Sequence, residues 1–311
     1  MYVCPSAMKE SLSALDLAEL YAETLLKGKC EPTEKIFEQL YSMLLQLCDP
    51  NFPNSDSLNK FISISVRWSQ AVASKRRERK HGLSELHHVI ARAFAHHHNY
   101  ENARNHMLFA DQPEEFAKLL HVIREEGGSK SSEAEMFCVL PCLQLLAMHR
   151  VHTASKLLTA YVAILNDSPP CSGTRDELFN FIKLLCNSLN LHDIKLFDHL
   201  VEAYKPHLNV DPNYNCYLER IGQIFFGTPP KNKNDSFGGL FGNILKGVLG
   251  EKKEEDEIFS DSDFEPGSIH TGRSEQETED AYETAEESDM MECDDHDGQK
   301  RATAEIFDDL D

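Results

Sequence analysis

No apolar run in this chain is long enough to cross a bilayer. The most apolar stretch, FCVLPCLQLLAM at 137–148, falls short of the roughly 20 residues a spanning helix needs, and Pro141 and Gln144 interrupt it. The cysteines number 9, an odd count without a Cys-x-x-Cys pair. They therefore read as small core residues in a reducing compartment rather than as a disulfide framework. A phosphate-cradling glycine loop, a nucleophile elbow and a strand framework to hold either are all missing, so no catalytic motif is in view and no cofactor is expected. Met1 to Ala7 also lack the basic start and apolar core of a secretory signal, which places the chain in the cytosol, with the nucleus as the alternative.

Basic residues are scarce, but unevenly so. The whole chain carries 31 Lys+Arg against 52 Asp+Glu, a net charge of -21. Residues 251–311 alone hold 24 acidic and 5 basic residues, leaving 28 and 26 for the rest. The body is nearly neutral and the acidity belongs to a tail. Such a balance argues against a nucleic-acid partner and against an anionic membrane surface.

What is present is helical periodicity. From about Leu12, apolar stripes at three- and four-residue steps alternate with short breaks, and no alternating strand pattern precedes residue 228. About a dozen helices are expected, in antiparallel pairs joined by short connections. The fold class is all-α: an α-solenoid of irregular tetratricopeptide-like helix pairs over 12–227, after a poorly ordered start at 1–11. NYENARNHMLFA has close-packing positions at Tyr100, Ala103, Met107 and Ala110. A Pro- and Gly-containing linker with an amphipathic segment follows at 228–250, and then a disordered acidic tail over 251–311, whose composition cannot offset the entropy of ordering. Ser260 and Ser262 each have an acidic residue three positions on and are candidate phosphorylation sites. The last residues, AEIFDDLD, are either part of a solubilising tail or a short docking peptide.

Several tempting patterns are better read as structure. His81, His87, His88, His96, His97, His98 and His106 crowd one helical pair, but their spacing does not set ligands on one face. His87 and His106 are expected to pack, the 96–98 run to face water, and no metal is expected. The basic run Lys75 to Lys80 is expected to be a solvated loop between helices, with a nuclear-localisation or nucleic-acid patch as the lesser reading. Pro141 either kinks its helix or splits it. Cys138 and Cys142 are core.

The stretch from Asp211 to Gly250 organises the rest. Asp211 and Pro212 start a helix, and Gly227, Pro229 and Pro230 stop it. Between them Tyr214, Tyr217, Leu218, Ile221, Ile224 and Phe225 make an aromatic stripe. This stripe either closes the last repeat or forms part of a groove for a partner, and the two roles can coexist. A second stripe, with Phe237, Leu240, Phe241 and Ile244, is broken by glycines and needs something to dock on. The candidate partner-binding residues are Tyr214, Tyr217, Leu218, Ile221, Phe225, Phe226, Phe237, Leu240, Phe241 and Ile244.

Three separated motifs carry a family resemblance. YNCYLERIGQIFFGTPPK with the following SFGGLFGNIL, CDPNFPNSDSLNKFISISVRWS at 48–69, and LHHVIARAFAHHHNYENARNHMLFAD at 86–111 occur in this order. Together they resemble the Golgi-to-ER traffic protein 4 family, also known as the thirty-five-kilodalton subunit of the transmembrane-domain recognition complex. The resemblance implies a tetratricopeptide-like solenoid without enzymatic activity, acting as a cytosolic adaptor that targets tail-anchored proteins to the ER membrane. It implies a ubiquitin-like partner or a large BAG-domain scaffold at the C-terminal face, and a targeting ATPase at the N-terminal part. Met1 falls where members have about two helical pairs behind them, pairs that carry much of the ATPase contact. The ATPase is therefore the partner least expected here. Rival readings are a helical scaffold of another assembly and a peripheral membrane binder acting through 237–250, without stable insertion.

Overall fold

A computed structural model describes residues 5–49, 55–128, 133–167 and 177–229. Among these residues there are thirteen helices and no strand: α1 Pro5–Gly28, α2 Glu34–Leu47, α3 Ser55–Val72, α4 Arg76–His81, α5 Ser84–His96, α6 Tyr100–Ala110, α7 Pro113–Glu126, α8 Ala134–Ala147, α9 Val151–Asp167, α10 Glu177–Asn190, α11 Ile194–Ala203, α12 Lys205–Leu208 and α13 Pro212–Phe226. The fold is an α-solenoid. α1 begins at Pro5, inside the stretch expected to be poorly ordered, because proline is tolerated in a first helical turn.

The most extensive packing is between α5 and α6, consecutive helices of one hairpin. α1 lies on α3, α2 on α5 and α7 on α9, while α8 packs on α9, α10 and α13. The buried side chains fall into two cores. The first gathers Leu15, Leu40, Phe61, Trp68, Leu86, Ile90 and Ala103 from α1 to α6. The second runs from Ala91 and Met107 through α8 and α10 to Ile221. Both draw on the α5–α6 hairpin, and Leu119 of α7 packs against each.

α8 sits at the centre of the second core and is apolar almost all round, as a helix surrounded by others should be. It runs unbroken through Pro141, whose surroundings keep the helix despite the missing N–H. Cys138 and Cys142 are buried there with their sulfurs 3.7 Å apart, and the Cys142 thiol donates to the Ala154 carbonyl at 3.6 Å. Trp68 is fully buried, and its Nε1 donates to the Cys30 carbonyl at 2.9 Å, fastening α3 to the α1–α2 connection.

Two expectations are corrected. The basic run at 75–80 is not a loop: Arg76–His81 is helical, and Glu78 within it is 8% exposed. The stripe in HDIKLFDHLVEAYKPHL, which by periodicity alone predicts one helix, is two helices, since Pro206 cannot donate to the preceding turn.

Helix ends rely on left-handed residues other than glycine. Lys29, His98, Asp111, His149 and His192 all have positive φ, a region that Asp and His visit more readily than most side chains. Asp111 does more than turn the chain. Its carboxylate takes a hydrogen bond from the Thr153 hydroxyl at 2.9 Å and from Arg150 at 2.5 Å. Arg150 is 7% exposed and also donates to the Leu108 carbonyl. The α6–α7 corner is thereby clamped to the start of α9. Replacing Arg150 with methionine keeps the bulk and removes these bonds, so Arg150→Met should lower stability by about 1–3 kcal/mol in urea unfolding, without loss of helix content.

Candidate functional site

The last helix is the sequence's chief candidate, and it is well defined at both ends. Asp211 accepts from the Asn213 N–H at 2.9 Å, and the Gly227 and Thr228 N–H groups return to the Gln223 and Gly222 carbonyls at 3.1 and 3.4 Å. Gly227 has φ +65°, the left-handed region that favours glycine. Such firm ends hold the stripe between them in register with α8.

Tyr214, Tyr217, Leu218 and Ile221 are 1, 2, 3 and 0% exposed and belong to the second core. Tyr217 also accepts a hydrogen bond from Gln144 of α8 at 3.1 Å. These four side chains close the solenoid, and a partner cannot reach them in this conformation. The inner side of the stripe is thus spent on packing, one of the two roles expected of it.

Phe225 and Phe226 differ. Both are half-buried. Phe225 stacks on His149, with ring centroids 4.5 Å apart and planes 7° from parallel, and Phe226 leans on Phe197 of α11 at 5.2 Å. At Gly222 a Cβ would meet the Thr228 hydroxyl too closely, at 2.9 Å, and the Phe197 ring at an ordinary contact distance of 3.6 Å, leaving no room for a larger side chain. Two apolar side chains elsewhere are exposed: Val210, before the start of α13 and so a helix length from these rings, at 57%, and Leu191, in the turn leading to α11, at 71%. Phe237, Leu240, Phe241, Ile244, Ser260 and Ser262 lie outside the described residues, as does the tail.

The histidines form a buried pair rather than a metal site. His87 Nε2 lies 2.8 Å from the His81 carbonyl and His87 Nδ1 lies 3.0 Å from His106 Nδ1. A carbonyl can only accept, so His87 is protonated on Nε2, accepts on Nδ1, and is served there by the N–H of His106. The remaining His106 Nε2 is buried without a partner. Burial holds His87 down to about 4, and burial followed by the neighbouring His87 holds His106 well below the usual imidazole value. His97, expected in water, is half-buried and lies 2.6 Å from the Leu45 carbonyl, tying α5 to α2. Among the described residues no group of three or more His, Cys, Asp or Glu side chains could hold a metal ion.

One feature was not anticipated. A cleft of about 700 Å³ opens between α2, α4 and α5. Its floor residues were legible only as helical stripe. The one signal available beforehand was Glu78, a lone carboxylate inside a run of cations.

A helical-repeat solenoid is the class of protein these observations define. The family model described as Golgi to ER traffic protein 4 matches residues 6–245. The chain belongs to that family. It is 35% identical to the Golgi to ER traffic protein 4 homolog of Homo sapiens over 257 residues, 82% of this chain and 74% of that one. It is 34% identical to homolog B of Xenopus laevis, over 82% of this chain and 75% of that one. A crystal structure of C. therm. Get4 superposes with a TM-score of 0.59 at 20% identity, covering 78% of this chain and 79% of that chain, and so shares the fold. None of the described helices is long and apolar enough to cross a membrane.

Two outcomes follow from the packing. Gly222→Val should wedge α13 off α11 and cost about 1–3 kcal/mol, measurable by thermal or urea unfolding. The buried histidines give a pH dependence with a definite sign. Below the ordinary value of about 6.5 the unfolded chain takes up protons that folded His87 and His106 refuse, so stability falls on acidification. Each contributes a slope of up to about 1.4 kcal/mol per pH unit between roughly 6.5 and the depressed folded value, near 4 for His87. Urea midpoints across this range should fall with pH, and less steeply in a His87→Leu/His106→Leu double variant.

Proposed function

We propose that this chain is a non-enzymatic cytosolic adaptor in the post-translational targeting of tail-anchored proteins to the ER membrane. The family is named for Golgi-to-ER traffic, and membership supports a role in ER targeting. In this reading the C-terminal face holds a ubiquitin-like partner or a large BAG-domain scaffold, and the solenoid brings a client helix on that partner near a targeting ATPase. The ATPase supplies the chemistry and the solenoid supplies effective concentration through simultaneous binding.

The single observation that carries the site is the outer edge of α13. Its inner side is core, yet Phe225 and Phe226 at its C-terminal end stay half-buried. Aromatic side chains left partly in water at a rigid helix end are what a partner segment uses as anchor.

The burial pattern dictates the test. Removing everything from Asp211 onward would strip four core side chains and unfold the second core, so surface substitutions are required. Phe225→Glu and Phe226→Glu, at half-buried edge positions, should leave helix content unchanged. They should reduce recovery of the BAG-domain scaffold or the ubiquitin-like partner, detected by immunoblot after affinity capture from cytosol, by at least about tenfold. Unaltered recovery with both substitutions present would remove this face from the adaptor reading.

A further inference from the structure

The cleft between α2, α4 and α5 contains a carboxylate that has no partner among the described residues. Glu78 lines it and is 8% exposed, and its side chain makes no hydrogen bond or ion pair among the described residues. Glutamate is almost never buried unless paired, because a buried charge is costly when nothing neutralises it.

The surroundings favour a cation. Glu34, Glu38 and Glu85 line the same cleft, against only Lys75 and Arg92. Arg92 is already engaged, with its guanidinium 4.8 Å from the centre of the Tyr41 ring. The remaining lining is apolar or aromatic, including Phe37, Tyr41, Leu83 and Val89. At about 700 Å³ the space suits a few side chains of an extended or helical segment. An aromatic wall beside an excess of carboxylates suits neither an anion nor a purely apolar ligand.

We propose that this cleft docks a Lys- or Arg-bearing peptide segment of a partner protein, its cation on Glu78 and its apolar neighbours on Phe37 and Tyr41. Guanidinium suits the place best, since its planar fork can meet a carboxylate with two hydrogen bonds. The docking place is separate from the edge of α13, so either can fail alone.

Trp68 provides a local reporter. It is the only tryptophan in the chain, and its ring centroid lies 6.1 Å from that of Phe37. The probes are dansyl-labelled twelve-residue peptides in which one Arg or Lys is stepped through a Leu/Ala/Ser background, titrated into the full chain with energy transfer from Trp68 as readout. At least one register should give saturable transfer that weakens with salt and is lost when glutamine replaces the cation. Glu78→Gln should weaken that binding by at least about tenfold while the thermal midpoint stays level or rises, as expected when an uncompensated charge is removed. The acidic tail attracts cationic peptides too, but Glu78→Gln leaves the tail untouched, so the difference between the two proteins reports the cleft. Equal affinity in Glu78→Gln, no saturable transfer with any peptide, or a lowered midpoint revealing an internal partner for Glu78 would each overturn the proposal.

Discussion

The α5–α6 hairpin is the constraint on which the two halves of the solenoid depend. Leu86, Ile90 and Phe94 face the first core, while Ala91 and the Met107 to Ala110 segment face the second. One hairpin is thus a wall for both. Its interior is not purely apolar: His87 and His106 lie between the helices, bonded to each other and to the turn before α5. These bonds have directions, and a slip of either helix along its axis would leave two more buried nitrogens unpaired. The pair therefore sets register where aliphatic packing alone would tolerate sliding.

At the far end the same economy appears in α13. The helix spends one side on closing the second core and keeps the other beside water, so a single capped element both finishes the fold and offers the proposed docking edge. A firm start at Asp211 and a firm stop at Gly227 fix where Phe225 and Phe226 emerge. Rigid presentation lowers the ordering cost of holding a partner. Family membership supports a role in ER targeting.

Much of this was legible before any coordinates. The three-to-four-residue stripes place nearly every helix, and the caps of α13 are recognisable from Asp211-Pro212 and Gly227. What escaped did so for identifiable reasons. α4 is a six-residue run of charges without a stripe, held on the solenoid by its contact with α3. Helix ends at His98, His149 and His192 carry no glycine, so histidines read as surplus are in part residues suited to left-handed turns. The division of the aromatic stripe into core and edge depends on where α8 and α11 lie, which no local pattern encodes. Arg150 carries no local signal, since its clamp on Asp111 joins residues thirty-nine positions apart.

The shared wall has a mechanical meaning. In an array of loosely joined repeats, a load at one end is absorbed by bending at the nearest joint. Here the joint is itself a stiff, close-packed partition belonging to both compartments, and dense interiors pass strain on rather than soak it up. A tug on the first compartment therefore arrives at the second as displacement, and the molecule works as a lever with its pivot inside.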